Sequence, residues 1–254
     1  MQEVENIYQD AYYRTKNLKG LFIHDISNLF QIISNSIEFC ESMLKNEVKT
    51  EEILEFFYMI AKQLDRGKKL IRNVRSLSEM EDYEMPLAPV EVFSILKSVI
   101  SFTRISFPKK EIEMTIRPKN GTLYVMANEL LREVFENIIT NAIYYNKNTV
   151  IQIEIDISIV DVHHKNFVKI QFRDNGIGIN NERKKLIFQE TKLTNRNSNG
   201  MGIGLSLVAK LMELYNGDIW VEDRVKGDYT KGSNFILLIP LLKQKREMFN
   251  DKNL

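Results

Sequence analysis

The chain has 254 residues, 44% of them hydrophobic, enough for one large domain or two small ones with real cores. Its 35 Lys and Arg against 34 Asp and Glu leave a formal charge of +1, which excludes a general attraction to nucleic acid or to anionic membrane. A lone Cys40 excludes an internal disulfide framework and a cysteine-based zinc site, and no run approaches about 18 apolar residues, so the chain is expected to be cytoplasmic, with neither a membrane span nor a signal peptide.

Two long helical patterns come first. Ile23, Phe30, Ile37 and Leu44 recur at heptad spacing, and Ile26, Ile33 and Cys40 do the same three residues out of step. After a polar break at 45–50 the pattern resumes, with Ile53, Ile60, Gly67 and Val74 on one row and Phe57, Leu64, Ile71 and Ser78 on the other. Two such helices on a short connection predict an antiparallel hairpin. A hairpin with a continuous apolar seam cannot bury it alone, so pairing with a second copy into a dimeric four-helix bundle is the simplest remedy. Upstream, Val4, Ile7, Ala11, Leu18 and Leu21 form a seam in a different register, which reads as a helical input segment joined through a heptad phase break.

The heptads stop near Glu81, and Pro86 and Pro89 mark a linker. Beyond it, helices are predicted at Phe93–Ile105, Asn128–Tyr145 and Leu205–Tyr215. Short apolar runs stand at Ile112–Ile116 and Leu123–Met126, and strands are predicted at Val150–Ile159, Phe167–Arg173, Ile219–Glu222 and Asn234–Pro240. Helices segregated from mostly antiparallel strands describe an α+β two-layer sandwich. The expected organisation is an input segment at 1–20, the hairpin at 21–82, the linker at 83–89, the sandwich at 90–240 and a charged tail at 241–254.

Three features of the sandwich carry chemistry. In Asn137-Ile-Ile-Thr-Asn141-Ala142 the two asparagines share one helix face; an amide oxygen is a hard neutral ligand suited to Mg²⁺, and an amide NH₂ can reach phosphate oxygens. Asp174-Asn-Gly176-Ile-Gly178 follows a strand, so its carboxylate can accept from an exocyclic amine while the glycines let backbone approach a flat base. Gly200-Met-Gly202-Ile-Gly204-Leu205 runs into a helix, whose exposed N–H groups and positive dipole end favour phosphates. A three-glycine run alone arises by chance in roughly one chain in ten of this length. The ordered set in matching contexts carries the inference.

This set resembles the N, G1 and G2 boxes of the ATP-binding domain shared by histidine kinases, gyrase-type topoisomerases and Hsp90-type chaperones, a Bergerat-type fold. Gly232-Ser-Asn-Phe235 resembles the G3 motif, and Ile187-Phe188 the F-box. The resemblance implies ATP and Mg²⁺ as cofactors, Asp174 on the adenine amine, Asn141 on Mg²⁺, Asn137 and Tyr145 lining the pocket, and a lid at 180–199. The phosphate-contacting Lys usual in the N box is replaced by Tyr144, and Lys147, Lys192 or Arg196 are candidates to supply that charge.

In the first helix, His24 lies beside the seam, with Asn28, Gln31 and Asn35 on the same polar face. A nucleophilic imidazole must be neutral, and a carboxylate holding one nitrogen's proton raises the nucleophilicity of the other; Asp25 is placed to do so. His24-Asp25-Ile-Ser-Asn28 resembles the H box of the dimerisation and phosphotransfer hairpin of histidine kinases, with Leu29 where Pro is usual. The resemblance implies autophosphorylation of His24 with Asp25 as base, transfer to a response-regulator receiver domain, and a role for Asn28 in dephosphorylating that partner. Rival readings are a GHKL-type ATPase, which wants an acidic base where Asn137 stands, and a non-enzymatic dimeric scaffold. His163-His164 reads as a solvated turn.

Overall fold

The computed structural model describes residues 2–45, 50–82, 85–118, 122–188 and 203–242, with the side chains of 2–21, 24, 25, 50–52, 79, 81 and 82 outside the description. Two compact units emerge, one holding residues 1–83 and 189–204 and the other residues 84–188 and 205–254.

The first unit is a pair of helices, α1 (Gln2–Lys45) and α2 (Thr50–Asp82). Leu29 Cδ1 sits 3.5 Å from where a Gly67 Cβ would stand, while Phe39 stacks on Phe56 at 5.5 Å between centroids. Moving forward along α1 moves backward along α2, so the helices are antiparallel, as the heptads predict. The inward rows differ from the predicted seam. Leu29, Ser36 and Cys40 of α1 and Ile53, Gln63, Leu70, Asn73 and Leu77 of α2 are buried. Ile23, Phe30, Ile37 and Leu44 stand 45–67% exposed, as do Phe57, Leu64 and Ile71 at 51–56%. One predicted row of each helix therefore faces inward and the other outward. α1 is unbroken, so the predicted change of register between Leu21 and Ile23 falls within one continuous helix.

The second unit contains β1 (Ala88–Glu91), α3 (Val92–Ser106), β2 (Glu111–Arg117), β3 (Tyr124–Ala127), α4 (Leu131–Tyr144), β4 (Val150–Val162), β5 (Lys165–Asp174), α5 (Asn181–Lys184), α6 (Ile203–Leu214), β6 (Asp218–Val225) and β7 (Asp228–Pro240). Strands β2-β4-β5-β7-β6 form one five-stranded sheet, antiparallel except for β2 beside β4. Strand periodicity sends Ile151, Ile153, Ile155 and Ile157 of β4 and Val168, Ile170 and Phe172 of β5 to one buried face, where α4 packs. The opposite face mixes charged residues with the apolar Trp220, Ile236 and Leu238. Arg173 pairs with Asp156, and Arg224 reaches Glu154 at 2.9 Å.

The expected linker at 83–89 is partly strand. Ala88–Glu91 pairs with β3 as a separate two-stranded sheet, an edge position that tolerates Pro89. Glu91 then caps α3, its carboxylate accepting from the N–H groups of Phe93 and Ser94 at 3.1 and 2.6 Å. The turn between β4 and β5 is His163-His164, both at positive φ (50° and 62°), the conformation a two-residue hairpin turn requires.

Candidate active site

The end of β5 carries Asp174 to the helix-covered face, following the same alternation as Ile170 and Phe172, and it is 5% exposed. Two main-chain N–H groups converge on its Oδ1, from Gly176 at 2.7 Å and from Ser233 at 3.3 Å. Burial raises the carboxyl above its ordinary value, opposed by these two hydrogen bonds and by the nearby charge of Arg224. Among the described residues, Oδ2 is then the oxygen left to accept from a ligand.

The glycines around it are demanded by packing. A Cβ on Gly176 would lie 2.8 Å from both Asp174 Oδ1 and the Tyr145 carbonyl oxygen. Gly178 sits at φ +68° with Tyr229 O only 1.6 Å from a Cβ position, and Gly232 at φ +112° faces the Asp174 carbonyl at 1.9 Å. The loop is also tied to the end of α4, because Ile177 N–H donates to Tyr145 O at 3.0 Å. Asn175 locks its other side, accepting from Asn146 and from Gln152 N–H at 2.7 and 2.8 Å and donating to Val150 O at 3.0 Å.

Helix α4 begins where Asn128 Oδ1 accepts from Leu130 N–H at 3.1 Å, and the buried Tyr215 hydroxyl donates to the same oxygen at 2.6 Å. Asn137 is 2% exposed, and its Nδ2 donates to Glu133 O at 2.9 Å, one turn back. Asn141, one turn on, is half-buried, and Tyr145 at the C-cap is 36% exposed. Tyr144 packs edge-on against Phe107 at 5.6 Å, which accounts for an aromatic residue there. Phe188 meets Phe235 of β7 edge-on at 6.3 Å.

Gly204 is buried and Leu205 half-buried in the first turn of α6. Gly200, Gly202 and lid residues 189–199, including Lys192 and Arg196, lie outside the described residues. Lys147 lines a cleft with Arg224 and Lys231 that neither Asp174 nor Asn141 lines. In the helical pair, His24 and Asp25 belong to α1, with their side chains outside the description, and Asn28 is exposed. The sequence reading missed Ser233 as a partner of Asp174, because a backbone donor has no side-chain signature; its only trace is the glycine before it. Among the described residues no three His, Cys, Asp or Glu side chains gather as a metal site. A Mg²⁺ ion fits Asn141 only in the manner usual for that ion, with few protein oxygens and the rest from phosphate and water.

Residues 126–243 match the histidine kinase-, DNA gyrase B-, and HSP90-like ATPase family. The adaptive-response sensory kinase SasA of Synechocystis is 24% identical over 251 residues, covering 95% of this chain and 63% of its own length. The autoinducer 2 sensor kinase/phosphatase LuxQ of Vibrio harveyi is 21% identical, over 96% of this chain and 29% of its own. The catalytic domain of histidine kinase ThkA superposes with a TM-score of 0.51 at 25% identity, covering 61% of this chain and 96% of that one. Residues 126–243 therefore carry a domain of this ATPase family, and the chain as a whole is similar to the catalytic cores of sensor histidine kinases. The chain spans less than two thirds of the length of these two relatives. Acinetobacter baumannii histidine kinase AdeS, at 17% identity and a TM-score of 0.57 over 87% of this chain, shares the fold. No helix among the described residues is long and apolar enough to cross a membrane.

Proposed function

We propose that the kinase core binds Mg²⁺·ATP in the second unit and transfers its γ-phosphate to an imidazole nitrogen of His24. The observation that carries this reading is the Asp174 carboxylate. It is buried at a strand end with Oδ1 gripped by Gly176 and Ser233 and Oδ2 left for a donor such as an adenine amine, in a chain that also carries a histidine on a helical pair. Asn141 and Tyr145 line the same helix end, with Gly204 and Leu205 opening the helix that faces phosphate. When bound, Mg²⁺ supplies charge neutralisation of the triphosphate. The residues do the rest by positioning. Asp25 holds the proton of one imidazole nitrogen while the other forms the N–P bond and the bond from the γ-phosphorus to the bridging oxygen breaks, leaving ADP. The phosphoryl group of the phosphoramidate then passes to an aspartate of a response-regulator receiver domain, and Asn28 orients the water that later hydrolyses that aspartyl phosphate to free aspartate and inorganic phosphate. Asn137, whose side-chain nitrogen is committed to Glu133 O, offers no base for simple hydrolysis, which weighs against the ATPase alternative.

The working unit is a homodimer. The exposed rows Ile23, Phe30, Ile37 and Leu44, with Phe57, Leu64 and Ile71, give a second copy an apolar face to cover. Incubation with γ-labelled ATP and Mg²⁺ tests the reading. Wild type should gain acid-labile, base-stable label, and His24→Ala and Asp174→Asn should both lose it. Label retained in His24→Ala, or ATP consumed with no label on the protein, would reject it.

A further inference from the structure

A cleft of about 610 Å³ opens at one end of the five-stranded sheet. Three cations line it, each from a different segment: Lys147 after α4, Arg224 near the end of β6 and Lys231 in β7. Among the described residues no carboxylate lines it. Glu154 reaches Arg224 from β4 at 2.9 Å, which fixes the guanidinium in place and occupies only part of its five-donor fork. Several of the other polar groups at the cleft are committed. Gly176 N–H serves Asp174, Ile177 N–H serves Tyr145 O, and the Thr230 hydroxyl donates to Asp228 Oδ1 at 2.6 Å. What the cleft offers a ligand is therefore mainly cationic.

This is a different place from the Asp174 pocket. Asp174 follows Ile170 and Phe172 onto the helix-covered face, whereas Arg224 bonds Glu154, which alternates with the buried Ile153 and Ile155 and so faces the other way. The two places meet at the loop 175–177 and at Arg224, whose charge also reaches Asp174. We propose that the cleft is a second anion site, which takes a small polyanion bearing two or more phosphate groups. Three separate cations match several charges better than one, and the volume falls within the range of roughly 300–1,000 Å³ usual for small-molecule sites. A ligand there rests against Gly176 and Ile177, directly beyond Asp174, so its binding and that of a ligand on Asp174 are reciprocally coupled through one loop.

Inorganic pyrophosphate is the probe, titrated calorimetrically into the whole chain in magnesium-free buffer at low salt. Wild type binds one equivalent. The Lys147→Glu/Lys231→Glu double variant, altered at two exposed side chains, binds about tenfold more weakly or worse, and Asp174→Asn binds within about twofold of wild type. The melting temperature of each variant certifies its fold. No binding by wild type at millimolar pyrophosphate overturns the proposal. So does binding abolished by Asp174→Asn and untouched by the double charge reversal, which places the anion in the nucleotide pocket. Pyrophosphate is read without any phosphoryl transfer, so failure of the kinase reading and failure of this one are distinguishable.

Discussion

Gly232 and Asp174 meet backbone to backbone, so closely that a methyl group on Gly232 would lie 1.9 Å from the Asp174 carbonyl oxygen. Neither partner is a flexible side-chain end, and the Gly232 φ of +112° is closed to other residues. Gly232→Ala should cost about 3 kcal/mol or more, the strain adding to the clash. Gly227→Ala is the control, since it also has positive φ (+83°) but nothing within 4 Å, and should cost about 1 kcal/mol. Chemical denaturation of the two variants side by side checks this; equal losses would mean the close approach relaxes freely.

Asp174 should trade stability for binding. Its native carboxyl is held above 3.8 by burial, so the folded protein keeps a proton more readily than the unfolded chain does. The sign follows: stability is fullest below the unfolded value and is lost as pH rises through the native one. Asp174→Asn has no proton to lose, so without nucleotide it should melt above wild type at pH 7, the gap narrowing as pH falls toward 4. Adenine nucleotide should meanwhile protect the variant less than wild type in the same melts. A variant that melts lower at pH 7 would show that the two N–H donors outweigh burial.

Two substitutions probe the facing pair in the helical hairpin. Leu29 is 8% exposed, and Leu29→Ala should cost about 2–4 kcal/mol through the cavity it opens. Gly67→Ala should instead add about 0.5–1 kcal/mol, because its methyl would meet Leu29 Cδ1 at an ordinary 3.5 Å and alanine is the better helix former. Thermal melts of both variants decide the matter; a destabilised Gly67→Ala would mean the helices sit closer than this contact implies.

Tyr215→Phe removes one buried hydroxyl donor while Leu130 N–H continues to serve Asn128 Oδ1. The expected loss is about 1 kcal/mol. A loss several times larger, measured by urea denaturation, would show that Tyr215 and not the backbone organises the start of α4.

The strands of the sandwich were legible wherever apolar residues alternate, as along β4, and Asp174 stood out because Asp-Asn-Gly-x-Gly follows such a run. The hairpin was legible as a hairpin, but not which way its rows face. Ile23, Phe30 and Ile37 are as apolar as Ile26 and Ile33, whereas the buried rows include Ser36, Gln63, Asn73 and Gly67, which no hydrophobic count selects. Facing is decided by the partner helix, through contacts such as Leu29 on Gly67. Strand β1 was hidden by Pro89 within it and Pro86 just before it, because a sheet edge forgives what a central strand would not. The cleft beside Lys147 brings together residues from three distant segments, a convergence that local pattern does not express.

Both open margins of the five-stranded sheet are charged, with Glu111, Glu113 and Arg117 along β2 and Asp218, Glu222 and Asp223 along β6. A strand from another molecule would have to desolvate those groups to add itself there, so fibre-like stacking is discouraged at each rim. Sticky surface is concentrated instead on rods carrying Ile23, Phe30 and Leu64. Crowded copies are thereby steered toward helix-on-helix encounters and away from endless sheets.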